Sequence, residues 1–316
     1  MSNKIKDVAK RAGVSTATVS RVFNQYPHVR KASIDAVLAA ARELNYAPNA
    51  SCNQSRIGIM IRGDVYINLV AYEIQLIAWL SRKFFKHGYK TELVSDQQIS
   101  LLHKNSFSVL IILSNVVNDA LFELGIPIVL INNLHPAAHS VVTNHFQGIK
   151  LAVEHLITLG HEKIAYISGD SHSWGYLERL RGYKESLSKY NIEYDDKLHI
   201  DTDMLDIVEK TVKVMSKNPT AMIISGEGRA QRLVHVLYLL GKKIPEDISV
   251  ISFEDEEISQ YLTPPHTTIS QNIPNLALVT AELAMDVIKN ETDKTLRNIV
   301  LHNEIIIRES TQGLES

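Results

Sequence analysis

The side chains best suited to recognise another molecule cluster between residues 16 and 24. Thr16, Ala17, Ser20, Arg21 and Asn24 follow a spacing that places them on the outer face of one short helix. Small side chains at the start of such a helix let its backbone approach base edges in a DNA major groove. There Ala17 can contact a thymine methyl, and Arg21 can pair with guanine or hold a phosphate. The predicted chemistry is recognition of double-stranded DNA.

Two short helices must position this face. The apolar residues of the first recur at i, i+3, i+4 and i+7 and are Ile5, Val8, Ala9 and Ala12. Gly13 ends this helix, and Ser15 can cap the second, whose inner residues are Val19, Val22 and Phe23. A third helix, from about Lys31 to Asn45, closes the core. Two short helices joined by a glycine-containing turn predict a helix-turn-helix.

Charge separates this N-terminal segment from the rest of the chain. Residues 1–55 hold eight Lys and Arg against three Asp and Glu, a net charge of +5, and the remaining residues hold 25 against 32, a net charge of −7. A basic head on an acidic body is the electrostatic footprint of nucleic-acid binding. Phosphate contacts from Lys4, Lys6, Arg30 and Lys31 would position the head without reading sequence. The alternative is a small helical core whose charges are only solvated.

From residue 56 the chain alternates between strand-like and helical stretches. The strand-like runs are 57–61, 90–94, 108–113, 127–131, 139–143, 163–168, 220–225 and 247–253. The helical patterns are about 70–87, 146–159, 176–189, 204–217, 229–240 and 274–289. This alternation predicts an α/β core of doubly wound parallel sheets, with a ligand cleft outside the carboxyl ends of the strands.

Charged and aromatic residues follow several of the predicted strands and are candidates for a ligand site. They are Arg62, Tyr66, Asn144, Trp174, Arg179, Glu227 and Glu254. A polyol needs planar hydrogen-bonding partners, such as a carboxylate or a guanidinium, and an aromatic face for its CH side. This set can supply both. The alternative for each residue is a surface or interdomain salt bridge, and for Trp174 a place in the core.

Residues 5–24, with Val29 and the run LNYAPNA at 44–50, resemble the N-terminus of the lactose-repressor/galactose-repressor (LacI/GalR) family. The resemblance continues in VEHLITLGHEKIAYISG (153–169), ERLRGYKESL (178–187), IPEDISVISFED (244–255) and IIIRES (305–310). It implies a headpiece at 1–47, a linker at 48–55 and a core at 56–316 of two subdomains like those of periplasmic binding proteins. The expected N-subdomain is about 56–160 and 270–300, and the C-subdomain is about 161–269 and 301–316.

The resemblance implies a homodimeric transcriptional regulator that binds a near-palindromic DNA operator. Repression is the expected mode of regulation. Its effector is expected to be a sugar or sugar derivative held between the subdomains. Arg179 matches the family's effector-binding arginine, three positions before Gly182, and Glu254 stands where the family usually has a sugar-binding aspartate. Gly226 and Glu227 replace the usual Asn-Asp pair, so the family's usual hexose geometry cannot be assumed.

The linker departs from the family, in which it forms a short helix on DNA and wedges a leucine into the minor groove. By this resemblance Asn49 and Ala50 are expected at the DNA. Ser55 occupies the leucine position and Cys52 a usual alanine position, and several linker residues are missing. Without a large apolar wedge, unstacking the central base step has no compensation, so the hypothesis is a weaker DNA kink. The alternative is a tether with no role at the DNA.

Composition and missing motifs narrow the possible functional classes of the protein. No apolar run approaches a membrane span, no signal-peptide core is present, and the single cysteine excludes an internal disulfide, so the expected location is the cytoplasm. No metal site or cofactor is expected. A sugar-binding enzyme is disfavoured because no nucleophile, base and orienting group stand together. The alternatives within the class are a regulator that needs ligand to bind DNA and one with a degenerate pocket.

Overall fold

Apolar strands and amphipathic helices build two sheets behind a helical headpiece in the computed structural model of the protein. The residues that the structure describes are 5–23, 29–44, 46, 56–63, 71–113, 117–169, 173–202, 206–225, 229–253, 257–290, 292–293 and 295–314. Among the sequence predictions, those for Lys4, Asn24, Asn49, Ala50, Tyr66, Glu227 and Glu254 and for the linker 48–55 lie outside these ranges.

The helices follow the predicted periodicity closely. The headpiece contains α1 (Ile5–Ala12), α2 (Thr16–Phe23) and α3 (Lys31–Glu43). The core contains α4 (Ala71–Lys86), α5 (His145–Thr158), α6 (Trp174–Lys189), α7 (Ile207–Met215), α8 (Arg229–Leu239) and α9 (Ile273–Lys289). Short 3-10 helices are Asp96–Leu101, Asp119–Leu124, Asp196–Leu198 and Glu257–Tyr261. Each core helix lies within three residues of a predicted pattern at either end.

The strands comprise the predicted runs and four that were not predicted. The predicted ones are β1 (Arg56–Ile61), β2 (Lys90–Ser95), β3 (Val109–Ile112), β4 (Ile128–Ile131), β5 (His139–Thr143), β6 (Ile164–Ser168), β8 (Ala221–Ser225) and β9 (Ser249–Phe253). The additional ones are β7 (His199–Asp201), β10 (Thr267–Ser270), β11 (Asn298–Leu301) and β12 (Glu304–Ile306). These four have at most four residues and little of the continuous apolar character by which a buried strand is recognised.

The strands form two six-stranded sheets, in the orders β11-β5-β4-β3-β1-β2 and β12-β10-β9-β8-β6-β7. Neighbouring strands are parallel, as predicted, except that β12 runs antiparallel to β10. The fold class predicted from sequence, a helix-turn-helix headpiece followed by an α/β core of two parallel-sheet units, is confirmed.

Each sheet is covered on both faces, which explains why its strands are apolar throughout. Helices α4 and α9 bury Leu76, Leu80 and Leu276 against one face of the first sheet, and the other face is closed by the 3-10 helices around Ile99 and Leu121. Helices α5 and α6 cover one face of the second sheet, and α7 and α8 cover the other. We call the first sheet with α4 and α9 the first lobe, and the second sheet with α5 to α8 the second lobe.

The boundary between the lobes lies before α5, whereas the sequence predicted it near residue 160. Ile149, Val153 and Leu156 of α5 belong to the core of the second lobe, where they pack with Tyr183 of α6 and Ile251 of β9. The chain therefore crosses between the lobes directly after β5, near Asn144. It crosses again between β10 and α9 and between β11 and β12.

Helices α5 and α6 pack closely against each other at Gly182. A Cβ atom at this position would lie 2.6 Å from the backbone oxygen of Phe146 and 2.4 Å from Cγ2 of Ile149. Because one of these neighbours is backbone, the contact cannot be relieved by a side-chain rotation alone. Gly182 thus fixes the distance between the two helices that cover the second sheet.

We expect Gly182→Ala to lower the free energy of unfolding measured in urea. Overpacking costs about 1–3 kcal/mol, against a gain of about 1 kcal/mol in helix propensity. Gly313→Ala is the matched control, since its Cβ would lie 3.7 Å from the Leu159 oxygen, an ordinary contact. Equal stability of the two variants would show that α5 and α6 can separate without cost.

Candidate DNA interface and effector cleft

The headpiece is built as its sequence predicts. Val8, Ala9, Val19 and Val22 are buried in one cluster with residues of α3. Gly13 ends α1 with a positive φ of 66°, a conformation that glycine adopts without steric cost. Ser15 Oγ then accepts a hydrogen bond of 3.0 Å from the Thr18 amide and caps the start of α2.

This arrangement leaves the predicted recognition face of α2 accessible. Thr16, Ala17 and Arg21 are exposed, and Ser20 is half-buried beside them. The positions 16, 17, 20 and 21 lie on one side of the helix, opposite the buried Val19 and Val22. The structure therefore presents two small side chains at the helix start and one guanidinium a turn later, as contact with base edges requires.

The described candidates for phosphate contacts stand at two helix N-termini. Lys6 lies in the first turn of α1, Arg30 precedes α3, and Lys31 begins it; all three are exposed. A helix N-terminus presents free backbone amides and a partial positive charge, so a cation there adds to an existing preference for anions. Both helix ends are therefore candidates for phosphate contacts.

Four side chains of the second lobe meet where its strands end. His145 begins α5, Trp174 begins α6, Arg179 lies one turn and a half further, and Phe253 ends β9. Arg179 Nη1 lies 3.1 Å from His145 Nδ1, and the guanidinium carbon lies 5.1 Å from the centroid of the Phe253 ring. The His145 ring contacts Trp174 edge-on at 5.5 Å and Phe253 at 5.6 Å. We call these four residues the effector cluster.

Burial determines the protonation of the effector cluster. His145 is 3% exposed, and this burial lowers the pKa of its imidazole well below the ordinary value; the neighbouring Arg179 lowers the pKa further. The neutral ring accepts at Nδ1 from the Arg179 guanidinium, so we assign its proton to Nε2. That nitrogen faces the backbone of α6 at Gly175, where an added Cβ would lie 3.0 Å away.

Arg179 is held in place without a carboxylate among the described residues. Its contacts are the imidazole of His145 and the face of Phe253, and its Nε is buried without a hydrogen-bond partner there. An N–H group that is buried without an acceptor, as at the Arg179 Nε, is costly unless an acceptor reaches it. The cluster can therefore hold a ligand that offers hydrogen-bond acceptors to the guanidinium and a CH face to an aromatic ring.

The other predicted ligand residues in the described ranges lie elsewhere. Asn144 caps α5, since its side-chain oxygen accepts a 2.9 Å hydrogen bond from the Gln147 amide, so a ligand contact falls to its amide nitrogen. Arg62 is half-buried on the first lobe, directly after β1. The structure thus brings Trp174 and Arg179 together and places Asn144 and Arg62 outside the effector cluster.

Sequence reasoning missed His145, Phe253 and a third residue, Arg229. Arg229 begins α8, and its guanidinium packs flat on Gly169 after β6, where an added Cβ would lie 2.9–3.2 Å from three of its atoms. His145 and Arg229 are each the first residue of a helix that follows a strand. Phe253 could have been found as an aromatic residue in the last position of a strand.

The headpiece exposes a recognition helix and is joined to two lobes, one of which holds Arg179 where its strands end. These features define the class of ligand-responsive DNA-binding regulators. Residues 4–49 match the family model for bacterial regulatory proteins of the lacI family, and residues 153–311 match the model for a periplasmic binding protein-like domain. The chain belongs to the LacI family of bacterial regulatory proteins, as its motifs predicted.

Relatives and solved structures agree with this assignment. The chain is 31% identical over 335 residues to the HTH-type transcriptional repressor PurR of Vibrio atlanticus (strain LGP32), covering 98% of this chain and 99% of that protein. It is similar to the lac repressor dimer bound to operator and the anti-inducer ONPF, with a TM-score of 0.70, 25% identity and coverage of 99% and 100%. A LacI family regulator from Enterococcus faecium with bound ribose gives a TM-score of 0.74 at 25% identity, covering 82% and 100%.

The protein is accordingly a DNA-binding transcriptional repressor with a ligand-binding domain, and its relatives are regulators rather than enzymes. Within the described part of the chain, no helix is long and apolar enough to cross a membrane.

We expect acid to destabilise the second lobe through two buried histidines. Burial and then Arg308 lower the pKa of His266 to about 4, and the pKa of His145 is lowered in the same sense. Each histidine is neutral when folded but takes up a proton near pH 6.5 when unfolded. Above about pH 6.5 the two histidines therefore do not reduce the free energy of unfolding. Below this pH the free energy of unfolding decreases by about 1.4 kcal/mol per pH unit for each histidine.

Urea unfolding between pH 7.5 and 5 tests this expectation. His145→Asn and His266→Gln should each flatten the dependence of stability on pH, whereas the exposed His302, replaced by Asn, should leave it unchanged. Parallel profiles for all four proteins would mean that other groups control the acid response.

Proposed function

We propose that the protein binds a two-fold operator as a homodimer, and that a small polyhydroxylated ligand held between its lobes controls operator affinity. The observation that carries this proposal is the placement of Arg179 in the effector cluster, with aromatic rings beside it and no described carboxylate against it. A repressor of this kind works where the chromosome is, in the cytoplasm.

Two copies are needed because one headpiece is small. A single helix-turn-helix reads a half-site and buries too little surface for tight specific binding, so two copies of Thr16, Ala17 and Arg21 would read half-sites about one helical turn apart. The lac repressor in the similar structure is a dimer bound to operator. Lys6, Arg30 and Lys31 would hold phosphates beside each half-site.

Exposed apolar side chains on two helices support the dimer. On α4, Ile74 is 51% exposed and Phe85 is 81% exposed; on α8, Tyr238 is 75% exposed and Leu239 is 64% exposed. Helix α4 belongs to the first lobe and α8 to the second, so each lobe offers an apolar surface to a second copy. Such surfaces typically mark sites of protein association.

The effector cluster favours a sugar or sugar derivative. The guanidinium offers N–H groups to hydroxyl or ring oxygens, and the half-buried Trp174 offers an aromatic face to the CH groups of a pyranose or furanose. The Enterococcus faecium relative holds ribose. The names of the PurR relatives do not mention a sugar. The proposal of a sugar ligand therefore rests on the effector cluster of this chain. Whether ligand weakens or strengthens operator binding follows from which arrangement of the lobes it prefers.

We expect Arg21→Ala and Lys6→Ala to weaken DNA binding in different ways. Selection from random duplexes by the purified protein supplies the operator, and anisotropy titrations supply the affinities. Arg21→Ala should cost about 1–3 kcal/mol on the selected duplex and relax the preference at one base pair. Lys6→Ala should weaken binding equally on all sequences and lower the slope of log affinity against log salt by about one. An equal loss for Arg21→Ala on selected and random DNA would assign it to phosphate.

We expect calorimetric titration with ribose and a panel of pentoses, hexoses and their phosphates to identify at least one saturable ligand. Arg179→Ala should weaken it by roughly 10- to 100-fold, because a hydrogen bond to a charged group contributes about 1.5–3 kcal/mol. Arg181→Ala is the matched control on the same helix, since Arg181 is exposed and pairs with Glu178 and Glu185. Equal affinities for the two variants would remove Arg179 from the site, and no binding by the wild type would indicate a degenerate pocket.

A further inference from the structure

The headpiece packs against the edge of the first sheet. Phe23, at the end of α2, contacts the ring of His103 edge-on with centroids 5.1 Å apart and contacts Tyr46 at 5.8 Å. The Arg42 guanidinium of α3 donates to the backbone oxygen of Ser100 at 3.4 Å. Ser100 lies in the 3-10 helix Asp96–Leu101, which follows the edge strand β2.

Apolar side chains from both sides line a cavity in this contact. Val22, Val29, Ile34 and Leu38 face it from the headpiece, and Val94, Leu101 and Leu102 face it from the first lobe. The polar residues Arg21, Glu92 and Gln98 complete the lining. The cavity measures about 270 Å³. An interface with such a gap forfeits part of its dispersion contacts, so it is weak and reversible compared with a domain core.

The short linker compensates for this weakness. Nine residues separate Tyr46, next to the docked Phe23, from Arg56 at the start of β1. Arg56 pairs in register with Lys90 at the start of β2, so the chain re-enters the core beside the docking strand. A short tether holds its two ends at an effective concentration in the millimolar range. Even a contact of millimolar affinity is then populated.

Docking leaves the recognition face accessible. Thr16 and Ala17, at the start of α2, are exposed, and Arg21 stays exposed although it borders the cavity. The docking residues Phe23 and Arg42 lie at the ends of α2 and α3. The headpiece can therefore contact a major groove while it remains on the first lobe, and the contact does not act as a block to DNA.

We propose that the headpiece reads its half-site while docked, and that the surface formed by Val94, Leu101, Leu102 and His103 sets its orientation. The spacing between two recognition helices is then determined by the first lobes, not by the linker alone. This role rests on the operator binding proposed above, whereas the docking itself does not.

Crosslinking tests the docked state directly. In a Cys52→Ser background, Arg42→Cys with Ser100→Cys should be joined by a short bismaleimide, both in free protein and with the selected operator bound. Arg42→Cys with Leu296→Cys is the control pair, since Leu296 precedes β11 at the opposite edge of the sheet. Crosslinking that is absent in the free protein, or is lost when operator is added, would overturn the proposal.

Operator spacing tests the orienting role. Inserting one base pair between half-sites moves one of them by about 3.4 Å along the helix axis and rotates it by roughly a tenth of a turn. Wild type should lose at least about tenfold in affinity, a penalty of about 1.4 kcal/mol. Leu101→Asp, which places a charge in the interface, should reduce this penalty to within about threefold. His103→Ala, a milder change, should reduce it in the same direction.

Two further variants test the effect of filling the cavity and the effect of an added charge elsewhere on the first lobe. Leu101→Phe adds apolar volume at the cavity and should increase both crosslinking and the spacing penalty. Leu296→Asp is the matched control for Leu101→Asp, since the two leucines are 43% and 38% exposed. A spacing penalty that is the same in Leu101→Asp, Leu296→Asp and wild type would overturn the orienting role. A protein that crosslinks but selects no operator would overturn the proposed function instead and leave the docking in place.

Discussion

The arrangement of the core depends on a set of hydrogen bonds that tie together the three segments crossing between the lobes. Thr143 Oγ1 lies 2.8 Å from Gln271 Oε1, which joins the first crossing to the second, and Asn132 Nδ2 donates to the same oxygen at 2.9 Å. Asn303 Nδ2 donates to the backbone oxygen of Asn144 at 2.8 Å, which joins the first crossing to the third. Because most of these groups are buried, breaking one bond leaves an unpaired polar atom. These hydrogen bonds thus join the three crossings to one another.

The effector cluster stands directly beside this line. His145 is the residue after Asn144, so the crossing that positions α5 also positions the imidazole against Arg179. Gly175 and Gly182 let α6 approach α5 closely enough for that contact, since a Cβ at either glycine would lie at or within about 3 Å of α5 atoms. The electrostatics follow from the packing: a ring that is buried stays neutral and can accept from a guanidinium. A ligand that contacts Arg179 therefore acts on the helix that begins at the crossing.

The sequence predicted most of the fold because its signals are local. Val8 and Ala9, or the continuous apolar run of β3, identify a helix stripe and a buried strand without knowledge of their neighbours. It did not predict β11, which alternates between exposed and half-buried residues, or β12, which has three residues and none buried; both lie at sheet edges. It assigned α5 to the wrong lobe, since an apolar stripe does not say which sheet will cover it. Arg179 and Trp174 were predicted as ligand residues from their place after a strand, and the structure brings both against His145. His145 was missed because a lone histidine at a helix start has no distinctive spacing.

The two sites lie on different lobes, and this separation limits how they can communicate. The effector cluster belongs to the second lobe, whereas the headpiece joins the first lobe through its contact near β2 and through the linker. A ligand held by the second lobe alone would bind every arrangement of the lobes equally and would shift none of them. Under the proposed function, control of the headpiece therefore requires that the ligand also contact the first lobe, where Arg62, directly after β1, is a candidate. Its differential affinity for two arrangements then sets the coupling, which is typically about 1–3 kcal/mol.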